Sequence, residues 1–420
     1  MTIKGIIAEF ADEASFLWHL RTKAAVAPHL MLDDLVILDG RIEANLDGLR
    51  VAGEAGWETC ERFLGSELPE DYFALSVLAF EKGDQTRIQA VLDAADKDID
   101  KARVLISALG WIPFEGAETC INHCLVSESP FRRYIGIAAS AVHRHDPGRH
   151  LDKSVQDTST LLIARGLRAY GELGLEIRNS KASLRVDLAD EDDSIRFSAA
   201  WSATLSGDAE AVEVLKSFVV PDSPYREMAL NTLLWRMKQP SALSFQDHLK
   251  LSHDTLRLAV MGAGIIGDPV LVPWLLEQMK TPELARIAGE AFTMITGADI
   301  DREELRGMRP EAFAAGPNDD PNDCNVAMDA DEYLPWPDPE LISKWWDKNE
   351  GRSVSATRHL IGHPISAEHL RHVLINGRQR QRAAAALELA ILEPGRPLFE
   401  VRAPGSRQLQ ELRLKGERNR

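Results

Sequence analysis

Hydrophobic and polar positions follow a helical period along most of the chain, and the clearest example covers residues 193–218. Ile195, Ala199 and Ala203 recur on one side of a first predicted helix, where small residues allow close packing. Gly207 follows this helix and supplies the positive φ that a helix end often needs. The pattern predicts a pair of helices joined by a tight turn.

The ends of this helix pair carry the expected turn chemistry. Asp193 and Asp208 precede the two helices, where their carboxylates can accept backbone N–H groups. In the second helix Val212, Leu215 and Phe218 share the inward face.

The same pattern returns over residues 254–279, with Gly267 ending one helix and Pro269 opening the next. Weaker copies begin near five further positions: Asp71, Asp100, Ser129, Asp222 and Pro282. Sustained alternation of period two is missing from the sequence, so we expect almost no sheet.

An arginine recurs close to the start of successive helices at intervals of 29 to 33 residues. The series is Arg103, Arg132, Arg165, Arg196, Arg226, Arg257 and Arg286. An acidic or hydroxyl residue stands three positions before several of them, at Asp100, Ser129, Asp193, Asp254 and Glu283. A fixed period of this length predicts stacked repeats of one supersecondary unit.

This pattern resembles HEAT-like repeats, in which each unit is an antiparallel helix pair. The resemblance implies an all-α fold, an α-solenoid with an N-terminal helical entry region and a C-terminal helical cap. It also implies that the early acidic residues and arginines form a structural ladder between neighbouring units. The predicted ladder residues are Asp100, Arg103, Arg132, Asp193, Arg196, Arg226, Asp254, Arg257 and Arg286.

Four segments follow from these patterns. We expect an N-terminal helical region over 1–70 and HEAT-like repeats over 71–297. An acidic, Pro-rich irregular connector is predicted over 298–340, and a helical cap with a basic tail over 341–420. An atypical last unit is the usual way to cover the open edge of a repeat array.

Charge is distributed unevenly along the 420 residues. The net charge is −17, yet residues 371–420 contain eleven Arg or Lys and five Glu, which leaves about −23 on residues 1–370. A region with this much negative charge repels phosphate backbones, so we expect no nucleic-acid partner. Two interpretations of the basic end remain open, a solvated tail and a site for an acidic partner.

The sequence points to the cytosol and away from membranes. The first residues lack the pattern of a secretory leader, and no run of eighteen apolar residues occurs. Four cysteines fit a reducing compartment. Cys120, His123 and Cys124 suggest half of a metal site, but no second pair has matching spacing, so we expect buried thiols.

Other groups of polar residues favour structural roles over metal or proton chemistry. The loop 316–325 carries many oxygen atoms but lacks the order of a calcium-binding loop. Residues 143–146 combine histidines with a carboxylate at a helix end, where a turn is favoured over a proton shuttle. His369 and His372 have ligand spacing but no acidic or cysteine partner. We expect neither a metal nor a cofactor.

Motifs of the common enzyme classes are missing from the sequence. There is no Walker A motif, no G-x-S-x-G and no H-E-x-x-H. Gly262, Gly264 and Gly267 are similar to the glycines of a dinucleotide-binding loop, but they follow a predicted helix, so we reject that assignment. None of the twelve histidines precedes Glu, which argues against HEAT-like di-iron hydroxylases. We therefore expect a protein without enzymatic activity.

Two sets of residues are candidates for protein binding. Trp336, Trp345 and Trp346 are either interface anchors or core residues, and both interpretations remain open. Acidic residues of the second helices are expected near a concave face of the array: Glu210, Glu213 and Glu277.

Several blocks outside the repeats are similar to an uncharacterised bacterial family whose members carry HEAT-like repeats and are commonly encoded beside type VI secretion spike and tip genes. These blocks are Ala11–Arg21, Leu38–Trp57, Leu334–Pro339, Gly377–Leu387 and Phe399–Gly405. The resemblance implies a cytosolic accessory protein that engages a spike, tip or effector component before secretion. It implies no catalytic residues.

Two other classes of function compete with this interpretation. One is an enzyme on a HEAT-like scaffold similar to bilin lyases or DNA glycosylases, of which the acidic body disfavours the glycosylase. The other is a secreted effector, which would be toxic when expressed alone.

Overall fold

The structure, a computed structural model, is mostly α-helical with almost no strand, as the helical periodicity predicts. It describes residues 3–176, 187–311, 313–317, 327–352 and 356–417. Within these ranges the only strands are β1 His359–Leu360 and β2 His363–Pro364, which pair antiparallel. The acidic loop predicted at 316–325 lies outside the described residues from position 318 onward.

The chain divides into two compact units whose boundaries differ from the predicted segments. Unit 1 comprises Met1–Val214 together with Ile375–Arg420, and unit 2 comprises Leu215–Leu374. The segment 341–420, predicted as one cap, is therefore shared between both units, and so are the repeats predicted over 71–297.

The first twelve helices in the described residues are α1 Ile3–Ala24, α2 Leu32–Ala52, α3 Glu54–Glu61, α4 Tyr72–Lys82, α5 Gln85–Ala94, α6 Ile99–Trp111, α7 Phe114–Leu125, α8 Pro130–Val142, α9 Arg149–Ser154, α10 Thr160–Leu173, α11 Asp193–Ser206 and α12 Ala209–Lys216. The others are α13 Arg226–Arg236, α14 Gln239–Leu249, α15 His253–Ile266, α16 Val272–Gln278, α17 Pro282–Thr296, α18 Pro339–Asn349, α19 Ala367–Asn376, α20 Gln379–Leu392 and α21 Gly405–Glu417. None of these helices is both long and apolar enough to cross a membrane.

Helix ends follow the predicted turn chemistry, with one shift in position. Asp192 accepts the amides two and three residues ahead of it, so Asp192 caps α11 and the prediction of Asp193 as the cap is wrong. Gly207 ends α11 at a φ of 98°, as predicted. Asp208 accepts the amides at the start of α12 at 2.8 and 3.2 Å, which confirms its capping role.

Helices of unit 1 contact one another in an ordered series. Helix α4 contacts α6, α6 contacts α8, α8 contacts α10, and α10 contacts α11. Ile195, Ala199 and Ala203 are buried, as the period of α11 predicts. A Cβ atom on Gly171 would lie only 3.0 Å from the Ser202 Cα, so the absence of a side chain lets α10 and α11 approach closely. In unit 2, α13 contacts α15 and α15 contacts α17.

The C-terminal segment is held against α1 and α2 by a buried ion pair. Asp39 accepts hydrogen bonds from Arg21 Nε at 2.9 Å and from the Gly405 amide at 2.6 Å. Arg21 also donates to the carbonyl oxygens of Arg402 and Ala403 at 2.6 and 2.7 Å. We call Arg21, Asp39 and residues 402–405 the terminal clasp. It joins parts of unit 1 that are more than 360 residues apart in sequence.

Two arginines of the basic C-terminal region are built into unit 1. Arg382 is fully buried and donates to the side-chain oxygens of Gln379 and Gln408. Arg407 is half-buried and donates to His143 Nδ1 at 3.1 Å. Of the two interpretations left open for the basic end, the solvated tail does not apply to these two residues, because both arginines pack against helices of unit 1.

His143, at the end of α8, is held in its neutral form by its surroundings. Its Nε2–H donates to the Leu109 carbonyl oxygen at 2.9 Å, and its Nδ1 accepts from Arg407. Burial is the largest cause that lowers the pKa of His143 to about 4, and the Arg407 charge adds to it. The geometry thus supports the structural interpretation of residues 143–146.

His143 should make unit 1 sensitive to acid in a defined pH window. Its pKa is about 4 in the folded state and 6.5 in the unfolded chain, so the unfolded chain binds the extra proton between these values. Stability therefore falls as the pH drops from 6.5 to 4, by roughly 3 kcal/mol in total. Urea unfolding of wild type and His143→Gln across this range should show a flatter pH dependence in the variant. His145→Gln, at an exposed neighbour, should keep the wild-type slope; equal slopes for all three proteins would contradict the prediction.

Candidate functional site

The predicted ladder pairs lie mainly within single helices. Arg103 bonds Asp100 at 2.8 Å, and Arg196 bonds Asp193, each one helical turn away and on the surface. Exposed pairs of this kind contribute between zero and about 1 kcal/mol. The predicted ladder between neighbouring units is therefore not formed by these acidic residues.

Two further ladder arginines find other partners. Arg132 reaches from α8 to α5, where it bonds Asp93 at 2.6 Å and Gln89 at 3.1 Å. Arg226 donates to the Pro221 carbonyl oxygen at 2.5 Å, just before its own helix. Of these two arginines, only Arg132 connects two separate helices.

In unit 2 the last two ladder arginines hold a segment that returns to them from far along the chain. Arg257 makes two hydrogen bonds of 2.7 Å with the Asp331 carboxylate, in place of the predicted pairing with Asp254. Arg286 bonds the Asp329 carboxylate at 2.7 and 3.0 Å and the Asp331 carbonyl oxygen at 2.7 Å. Asp331 and Arg286 are both buried. We call these four side chains the acidic-segment clamp.

The three predicted tryptophans pack inside unit 2. Trp336 lies over Arg286, 4.8 Å from ring centre to guanidinium, and meets Phe313 edge to face. Trp345 packs against Phe292 and its Nε1 donates to Glu303 at 3.2 Å, while Trp346 is buried. These contacts favour core packing, and the prediction of interface anchors is not supported.

The three predicted glutamates are exposed. Glu210 and Glu213 lie one turn apart on α12, within unit 1. Glu277 lies on α16 of unit 2 and forms an ion pair with Lys280 at 2.8 Å. Their exposure is compatible with the predicted docking role.

A cleft that sequence patterns did not reveal lies in unit 1 between the end of α7, the first half of α8, and α9. Its volume is about 370 Å³, within the usual range for ligand sites. Leu125, Val126 and Ile137 form its apolar wall. Arg133, Arg149, His150, Lys153 and Asp157 contribute its charged or titratable groups.

Arg133 and Asp157 neutralise each other within the cleft. Arg133 donates to Asp157 at 2.6 Å and to the carbonyl oxygens of Ser127 and Glu128 at 2.8 and 2.7 Å. Burial raises the pKa of the Asp157 carboxyl, but hydrogen bonds from the Ser159 amide and from Arg133 lower it by more. Asp157 therefore stays ionised and fixes Arg133.

Arg149 and Lys153 are the other cations of the cleft. They are exposed, and four positions apart on α9, so their side chains lie on the same side of that helix. Neither has a carboxylate within ion-pair distance among the described residues. Burial lowers the pKa of His150, and the charges of Arg149 and Lys153 lower it further.

Local sequence patterns do not reveal this cleft, and the reason is physical. Pro147 and Gly148 indicated only a turn, and the helix that follows has six residues, too few for a periodic signal. The basic residues at 149, 150 and 153 were the available sign, but spacing alone did not place α7 opposite them.

The residues considered as metal ligands do not cluster with further ligands in the described part of the chain. No group of three or more His, Cys, Asp and Glu side chains there could hold a metal ion. His369 and His372 stack with ring centres 6.5 Å apart, and His369 Nε2 is hydrogen-bonded to the Leu360 carbonyl oxygen. Cys120 and Cys124 are buried free thiols, as expected.

Comparisons with known proteins add no assignment. None of the protein-family models matches this sequence, and no curated protein matches it.

Proposed function

We propose that the protein is a non-catalytic interaction scaffold built from HEAT-like helix pairs, serving as an adaptor for a type VI secretion spike, tip or effector component. The main support is the order of helix contacts in unit 1, from α4 through α6, α8 and α10 to α11. Helix pairs stacked in this way present an extended surface to a protein partner. The similarity of the flanking sequence blocks to the type VI-associated family supplies the class of partner.

The exposed carboxylates of α12 are the proposed contact. Glu210 and Glu213 lie on the same side of this helix, because residues three apart are neighbours on a helix surface. The chain carries a net charge of −17, which favours encounter with a basic partner surface.

Reversing these charges should weaken partner binding. We expect the double variant Glu210→Lys and Glu213→Lys to retain at most about a tenth of the wild-type affinity for a spike or effector of the native host, since two attractive contacts become repulsive. The measurement is quantitative co-purification of the tagged protein with the tagged candidate partner.

A matched control changes the same charge elsewhere on unit 1. Glu58 and Glu61 are also exposed and three residues apart, on α3. Glu58→Lys with Glu61→Lys should leave binding within about twofold of wild type, apart from general screening. Equal loss in both double variants would remove α12 as the contact, and failure of wild type to bind any spike, tip or effector would reject the adaptor function.

A further inference from the structure

The α7–α9 cleft combines a cation that is paired with a carboxylate and two cations that, among the described residues, are not. Arg21 of the terminal clasp and both arginines of the acidic-segment clamp are bonded to a carboxylate of the same unit. In the cleft, Arg133 is bonded in the same way. Arg149 and Lys153 have no such carboxylate in the described part of the chain. Two positive charges therefore remain at the cleft after Arg133 and Asp157 cancel.

The cleft carries two exposed cations on a chain that is acidic as a whole. The net charge of the chain is −17, whereas Arg149 and Lys153 place two positive charges on one side of α9, where they favour a small anion. Both side chains are exposed and can reorient to meet a ligand at low cost. Arg149 offers a planar fork of N–H donors, and Lys153 adds a compact ammonium.

The lining of the cleft also contains apolar side chains. Leu125 and Ile137 are buried, and Val126 is 66% exposed. Covering such a side chain with an apolar group favours binding, because it removes apolar surface from water. The cleft thus places an apolar wall next to paired cations.

We infer that this cleft binds a small organic anion whose carboxylate or phosphate lies between Arg149 and Lys153 and whose apolar body packs on Leu125, Val126 and Ile137. The Asp157 carboxylate does not repel the ligand strongly, because Arg133 neutralises it at 2.6 Å. The site is independent of the adaptor function, since it lies on α7, α8 and α9 and not on the carboxylates of α12.

Calorimetric titration of the full chain tests the site with four probes: inorganic phosphate, phenyl phosphate, acetate and phenylacetate. We expect phenyl phosphate to bind at least about fivefold more tightly than inorganic phosphate, or phenylacetate at least about fivefold more tightly than acetate. Only the aryl probes cover the apolar side chains of the cleft. The pair that binds more tightly identifies the anionic group.

The variant Arg149→Ala with Lys153→Ala should weaken aryl-anion binding by at least about tenfold. The control is Lys344→Ala with Lys348→Ala, a pair of exposed cations also four positions apart, on α18. It should bind as wild type does. Unchanged unfolding temperatures would show that both double variants are folded, as expected for exposed sites.

Three outcomes would overturn the inference. Wild type would show no saturable binding of any probe up to about 10 mM, a limit near the weakest affinities that define a site. Alternatively, Arg149→Ala with Lys153→Ala would bind as wild type does. As a third outcome, phosphate and acetate would bind as tightly as their aryl counterparts. Binding would then come from the surface charges alone, without a contribution from the apolar side chains of the cleft.

Discussion

Replacing Asp39 with alanine should lower the free energy of unfolding by about 3–5 kcal/mol, the usual cost of leaving one buried charge unpaired. Arg21 and Asp39 are only 6% and 7% exposed, so the guanidinium would remain in the interior without its carboxylate. The Gly405 amide would lose its acceptor as well. Urea denaturation followed by circular dichroism measures this loss.

A surface ion pair of unit 1 supplies the control for the terminal clasp. Asp12 bonds Arg62 at 2.5 Å, but both side chains are exposed. Asp12→Ala should change the free energy of unfolding by no more than about 1 kcal/mol, because solvent screens the pair. A loss in Asp39→Ala no larger than in Asp12→Ala would show that the clasp does not hold the C-terminal segment.

Replacing Arg286 with methionine should be comparably destabilising in unit 2, by about 3–5 kcal/mol. The change removes the cation that bonds the Asp329 carboxylate and the Asp331 carbonyl oxygen, and it removes the charge between the Phe313 and Trp336 rings. Methionine keeps much of the buried apolar volume, so the loss reports chiefly the polar contacts. Urea denaturation gives the free energy of unfolding, and the rate of proteolysis reports release of the segment that carries Asp329 and Asp331.

Arg302→Met is the matched control in unit 2. Arg302 is 85% exposed and lies 3.8 Å from Asp299, a weak contact. Its replacement should leave both unfolding and proteolysis close to wild type. If Arg286→Met were also close to wild type in unfolding and in proteolysis, the acidic-segment clamp would not contribute to the stability of unit 2.

Helices and their ends were predictable from local patterns. The buried positions Ile195, Ala199 and Ala203 and the end of α11 at Gly207 follow from periodicity and φ preference. The cap was displaced by one residue because Asp192 and Asp193 are adjacent carboxylates, and the sequence does not show which of them has extended backbone. Local rules thus determine elements to within a residue or two.

Partners of the ladder arginines were not predictable in the same way. The period located Arg257 and Arg286 correctly at the starts of α15 and α17, but their carboxylates lie 43 to 74 residues further along the chain. Helical spacing contains no information about such pairs. For the same reason it did not reveal that residues 402–405 return to α1 and α2.

The candidate sites also differ in how far the sequence predicts them. Exposure of Glu210 and Glu213 was predictable, because they lie on the polar side of a short amphipathic helix. The α7–α9 cleft was not, because it depends on how three helices meet. Its two cations without an ion-pair partner in the described ranges lie beside apolar side chains only because the fold brings α7, α8 and α9 together.

The C-terminal segment returns to α1, α2 and α10, and the composition of unit 1 depends on this return. Hydrogen exchange of the full-length protein at the Leu398 and Gly405 amides measures it directly, because they donate to the Glu172 carbonyl oxygen at 2.9 Å and to Asp39 at 2.6 Å. Both amides should exchange as slowly as the helices of unit 1, and Asp39→Ala should accelerate Gly405 by about a hundredfold or more. Exchange at the rate of an unstructured peptide in the wild-type protein would contradict the claim.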